Sequence, residues 1–120
     1  MNQVRTIFIA EDDLYIQDLY IEILTASGYH VVDIASNGVE ALQKYQKMDP
    51  KPDLVLLDHR MPLKNGLQVL KEMLMINCGC KAIFVTADRS ITEEAKKIGA
   101  TEVILKPFRM VELIEVIVKI

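Results

Sequence analysis

Six polar side chains stand directly behind short apolar runs, and their types are those needed to handle a phosphoryl group. Glu11, Asp12 and Asp13 follow Ile7-Phe8-Ile9-Ala10, Asp58 follows Leu54-Val55-Leu56-Leu57, Thr86 follows Ile83-Phe84-Val85, and Lys106 follows Val103-Ile104-Leu105. Three or four carboxylates gathered in one pocket repel one another, and a divalent cation is the usual remedy. Mg2+ suits such a set because it takes one or two carboxylates and completes its octahedron with water and phosphate oxygens. Add a carboxylate nucleophile, a lysine to neutralise the equatorial oxygens and a hydroxyl to hold one of them, and the group makes a phosphoryl site. Taken singly the residues say little: Asp13 reads as a helix N-cap, Thr86 as a turn residue, Lys106 as a solvated charge and Asp58 as a turn-initiating aspartate. What carries weight is that four separate run ends bear compatible groups.

For those groups to meet, the runs must be neighbouring strands. Apart from a weaker fifth run, Val31-Val32-Asp33-Ile34, they do not alternate with polar residues. Unbroken apolar strands are covered on both faces, which points to a parallel sheet flanked by helices. Between the runs the period becomes helical. Ile16, Leu19, Tyr20, Ile23 and Leu24 form one stripe, with Gly28 just past Ser27 as a stop. Val39, Leu42 and Tyr45 follow Asn37-Gly38, and Leu67, Leu70 and Leu74 follow Asn65-Gly66. Ile91, Ala95 and Ile98 mark a fourth helix ended by Gly99, and Met110, Leu113, Ile114, Ile117 and Val118 a fifth. Five strands alternating with five helices over short connections describe one doubly wound α/β domain spanning 1–120. In open sheets of this kind a ligand lies at the carboxyl ends of the strands, where the strand order reverses.

The 120 residues suffice for a single core, and a net charge of −3 with 26% charged and 51% apolar residues shows no basic patch for nucleic acid. No signal-peptide pattern opens the chain and no apolar run approaches the ~18 residues that span a bilayer, so a cytoplasmic location without membrane contact is expected. Cys78 and Cys80 lack the further ligands of a zinc site and stand too close for an ordinary disulfide, which leaves two loop thiols.

The pieces Ile9-Ala10-Glu11-Asp12-Asp13, Asp58-His59-Arg60-Met61-Pro62, Val85-Thr86-Ala87, Gly99-Ala100-Thr101-Glu102 and Leu105-Lys106-Pro107-Phe108 resemble, in this order, the CheY-like receiver domains of two-component response regulators. The resemblance implies a flavodoxin-like sheet of order 2-1-3-4-5. It implies Asp58 as phosphoacceptor from a phosphohistidine. Mg2+ would be held by Asp12, Asp58 and the main-chain carbonyl of Arg60, with Glu11 reaching it through water. Lys106 would pair with the phosphoryl oxygens, Thr86 would close on the phosphate, Asp13 would support or cap, and the Lys106-Pro107 peptide would be cis. The implied partners are a sensor histidine kinase or phosphotransfer protein, an output protein or domain, and a second copy through the fourth helix, fifth strand and fifth helix. Such a domain is a signalling phosphoacceptor that assists its own phosphorylation and dephosphorylation, not an enzyme.

Four positions tune or switch such a site: Arg60, Ala87, Asp88 and Val103. Val103 stands where the family usually has its switch aromatic, and a β-branched aliphatic cannot swing a ring between buried and exposed states. Arg60 and Asp88 either pair across the phosphorus or point into solvent, where such pairs contribute little. The loop after Asp58 reads Met61-Pro62-Leu63-Lys64-Asn65-Gly66, without the family's first glycine, and is expected to be stiffer. On the last helix Val111, Val116 and Ile120 exceed what one buried face needs, leaving surface for a partner. A haloacid-dehalogenase-like phosphatase would need a second aspartate at position 60, and no phosphate-binding glycine loop follows the first strand. A receiver-like interaction domain regulated without phosphate is the remaining alternative.

Overall fold

The unbroken apolar runs become the inner strands of a five-stranded sheet. In the computed structural model, which describes residues 4–120, β1 (Thr6–Ala10), β3 (Leu54–Asp58) and β4 (Ala82–Thr86) are buried along nearly their whole length. β2 (His30–Ala35) and β5 (Glu102–Leu105) lie at the edges, where His30, Asp33 and Glu102 reach solvent. All pairings are parallel and the order is β2-β1-β3-β4-β5, the order that the resemblance implied.

Three helices begin where a side chain satisfies their free N–H groups, and two stop at glycine. Asp13, Asn37 and Asn65 cap α1 (Leu14–Ala26), α2 (Gly38–Lys47) and α3 (Gly66–Ile76), and Asn65 forms a reciprocal capping box with Gln68. Past Ser27, Gly28 has φ +93°, and Gly99 ends α4 (Thr92–Ile98) at φ +131°, backbone states that glycine adopts without a Cβ penalty. Ile91 belongs to a 3-10 turn, Arg89–Ile91, rather than to α4 itself. α5 (Met110–Val118) closes the chain.

Alternate residues of each strand feed two separate cores. Phe8, Val55, Leu57 and Phe84 pack with Tyr45, Leu70 and Met73 of α2 and α3, and Ala95 of α4. Ile7, Ile9, Leu56 and Val85 pack on the other face with Tyr20 and Leu24 of α1 and Leu113 and Ile117 of α5. At α5 Val111 is 48% exposed as expected, but the rest of the stripe needs correction: Val118 is 53% exposed, whereas Val116 and Ile120 pack against the core. Its sequence is apolar almost all round, so spacing could not choose the inward face.

Candidate functional site

Parallel register brings the polar residues to one sheet edge. Ala10 pairs with Leu57, Asp58 with Val85 and Thr86 with Leu105, so the residues ending or following β1, β3, β4 and β5 meet. The strand order reverses there, because β1 lies between β2 and β3. Glu11 and Asp58 are 2% and 5% exposed, Thr86 is buried and Asp12 faces outward.

Carboxylate oxygens of Glu11, Asp12 and Asp58 lie within 4.8 Å of one another. Lys106 Nζ stands 2.7 Å from Asp58 Oδ1 and 3.8 Å from Glu11 Oε1. Burial pushes Glu11 up to about 7, helped by the Asp58 charge and a hydrogen bond with Asp12, while the Asp13 N–H and Lys106 pull the other way. Burial likewise raises Asp58 against the pull of Lys106. Burial disfavours the Lys106 charge, yet its bond to Asp58 and the nearby carboxylates hold that ammonium above its ordinary value. Glu11 Oε1 is buried without a hydrogen-bond partner. Three carboxylates facing one lysine, all oxygen donors, with one such oxygen left over, fit a hard divalent cation such as Mg2+.

A pH dependence follows. A carboxyl whose folded value lies above its unfolded 4.5 contributes stability below that value, and loses it as pH rises through about 7. The metal-free Glu11→Gln variant, a mimic of the protonated acid, should therefore gain in urea midpoint over wild type between about pH 5 and pH 8. His59, which burial lowers, acts in the opposite direction but is common to both proteins. A constant difference across that range would show that Glu11 is not held protonated.

The remaining predicted residues take distinct places. Asp13 caps α1 through N–H donors of Tyr15 and Ile16 at 2.8 and 3.2 Å. The Thr86 hydroxyl oxygen accepts the Asp88 N–H at 3.0 Å. Asp88 Oδ1 accepts from Ser90 N–H and Oγ at 2.9 and 2.6 Å, which caps the 3-10 turn. No Arg60–Asp88 ion pair forms among the described residues: Ser90 holds Oδ1 of the carboxylate and Arg60 is exposed. Ala87 is exposed beside Thr86, and Val103 packs half-buried on β5. The Lys106-Pro107 peptide is cis, as is Asp49-Pro50.

The loop after Asp58 is latched to its surroundings. Gly66 N–H donates to His59 O at 2.8 Å, Gly38 N–H to Pro62 O at 3.2 Å, and Lys64 pairs with Glu72 at 2.7 Å. Leu63, where the glycine of related loops is absent, sits at φ +72° and is 74% exposed. That left-handed conformation costs a side-chain-bearing residue roughly 1–2 kcal/mol.

Sequence reasoning passed over Gln17. It is 7% exposed, and its Nε2 donates to Glu11 O at 2.6 Å and Ser36 Oγ at 3.1 Å. The signal was its spacing: Gln17, Tyr20 and Leu24 form the fully buried line of α1.

The response regulator receiver domain model matches residues 7–118. The chain belongs to the response regulator receiver family. It is 34% identical over 118 residues to chemotaxis protein CheY of Thermotoga maritima, covering 97% of each chain. It is also 34% identical over 115 residues to sporulation initiation phosphotransferase F of Bacillus subtilis, covering 94% of this chain and 90% of that one. Among solved structures, response regulator protein TrrA from Thermotoga maritima, in complex with Mg(2+)-BeF, superposes with TM-score 0.85 and 33% identity over 97% of this chain and 98% of that one. Phosphoacceptor signalling in two-component systems is the function of receiver domains, which interact with histidine kinases and output partners, and it is the function of this receiver domain. No helix among the described residues is long and apolar enough to cross a membrane.

Proposed function

We propose that Asp58 takes the phosphoryl group, with Lys106 and Thr86 as its partners and Mg2+ as the cofactor. The observation that supports this most is Asp58 itself, a buried carboxylate at the end of β3 held 2.7 Å from Lys106 and beside two further acids. Asp12, Asp58 and the Arg60 carbonyl would hold Mg2+, with Glu11 acting through water. When bound, the cation supplies positive charge to the equatorial phosphoryl oxygens. An Asp58 oxygen attacks the phosphorus of a phosphohistidine; the P–O bond forms as the P–N bond breaks. Lys106 shares its ammonium with the incoming oxygens, and the Thr86 hydroxyl donates its proton to one of them. Modification adds roughly −1.5 to −2 charges, so these contacts exist only in the phosphorylated state and bias the domain toward a second conformation. Hydrolysis of the acyl phosphate resets it.

The donor is a sensor histidine kinase or phosphotransfer protein, and the receiver of the signal an output protein or domain. A homodimer through α4, β5 and α5 is the arrangement we favour for covering Val111 and Val118.

Intact mass after incubation with acetyl phosphate tests this reading. Gain of one phosphoryl group with Mg2+, none with EDTA, and its loss on hydroxylamine treatment are expected of an acyl phosphate. A folded, Mg2+-binding protein that gains nothing from acetyl phosphate or from a phosphohistidine donor would be a binding domain regulated by other means.

A further inference from the structure

The inner line of α1 contains a polar side chain where its neighbours are Tyr20 and Leu24. Withdrawing an amide from water is costly unless its hydrogen bonds are remade, so an apolar residue would serve packing better. Both Nε2 protons of Gln17 are used, on Glu11 O at 2.6 Å and Ser36 Oγ at 3.1 Å. The first contact matters for the site. The Glu11 carbonyl belongs to the peptide unit joining Glu11 to Asp12, which is planar. A bond to that oxygen therefore sets the plane from which both acids project. On the preceding unit, the Glu11 N–H donates to Ala35 O at 3.0 Å. The Ser36 N–H in turn donates to Glu40 Oε1 at 2.9 Å, so the second acceptor of Gln17 is itself anchored to α2. The Glu11–Asp12 peptide is thus gripped from within α1 and the unit before it from β2, although Asp12 lies at the surface.

We propose that Gln17 is a positioning residue for the cation site: it aims Glu11 and Asp12 by fixing the peptide between them, with Ser36 holding the amide in place. The proposal rests on the reading of that site as an Mg2+ and phosphoryl centre. An exclusively structural glutamine would contribute to folding and leave Mg2+ affinity alone.

The test compares the wild-type chain with Gln17→Met, which keeps an unbranched side chain of similar size, and with Ser36→Ala. Mg2+ affinity is measured by calorimetry, stability by urea unfolding in EDTA, and the rate of acetyl phosphate labelling as a function of Mg2+. Loss of a group that orients a metal ligand weakens affinity about tenfold or more. Gln17→Met should show that loss, with half-saturating Mg2+ raised by a similar factor and the labelling rate at saturating Mg2+ reduced much less. Ser36→Ala should shift the same two quantities by about two- to threefold, as expected for a part of the same support. Wild-type Mg2+ affinity in Gln17→Met, whatever its urea midpoint, overturns the proposal; should that variant fail to fold, unchanged affinity in Ser36→Ala does so. Absence of Mg2+ binding in the wild type would overturn the reading of the site, and this proposal with it.

Discussion

Asp58→Asn is expected to abolish phosphorylation while leaving the metal-free protein as stable as wild type, or more so. On the proposed reading, the loss follows from removing the carboxylate that attacks: an amide nitrogen and carbonyl cannot form the acyl phosphate. The stability follows from electrostatics. Burial raises Asp58 in the folded protein, so its ionisation near neutral pH works against folding, and contributes less as pH falls below its folded value. Asparagine keeps the shape and removes that charge, and it also relieves Glu11, whose elevation owes part to Asp58. Against this stands the 2.7 Å contact with Lys106, which asparagine reduces to a neutral hydrogen bond, although Glu11 remains 3.8 Å from the ammonium. Buried ion pairs often fail to offset the desolvation of their charges, which decides the expected sign. Intact mass and urea midpoints in EDTA check both halves. A variant that labels fully would move the phosphoacceptor elsewhere, and a clearly lower midpoint would mean that the ion pair outweighs the crowding of acids.

The second large effect belongs to a residue with no chemistry of its own. A Cβ on Gly66 would lie 2.7 Å from Asp58 O, 2.7 Å from His59 Cα and 2.9 Å from the Phe84 ring. The first two are backbone atoms, and Asp58 is paired to β4, so neither can yield without shifting the strand end. Gly66→Ala should cost about 1–3 kcal/mol in urea unfolding, as overpacked cores do. Because the displaced atoms carry the carboxylate proposed to attack, acetyl phosphate labelling should also slow by about 10²-fold, the scale of a misplacement near 1 Å. Gly79→Ala is the control: its Cβ would meet nothing closer than Asn77 Oδ1 at 3.5 Å, and neither quantity should change. Wild-type behaviour in Gly66→Ala would show that the loop absorbs the extra atom freely.

These residues also show what the chain discloses before it is folded. The strands were legible because unbroken apolar runs have few other uses, and Glu11, Asp12, Asp58, Thr86 and Lys106 because they end those runs. Gln17 was hidden because a polar residue on a helix looks solvent-facing until the partners of its amide are known. The Arg60–Asp88 pairing is illegible for a related reason: charge spacing cannot reveal that Ser90, two residues on, already turns one oxygen of the carboxylate toward its own turn. On α5 the difficulty is excess, since Val111, Val116 and Val118 are equally apolar and only packing against the core separates them.

The two half-cores divided by the sheet give the domain a degree of independence between its sides. Substitutions under α1 and α5 and those under α2, α3 and α4 share few direct neighbours, so their energetic effects should combine almost additively. One side can then drift in sequence to suit a new partner while the other keeps its old one, with the strand-end chemistry common to both. A small signalling module built this way can be rewired one side at a time.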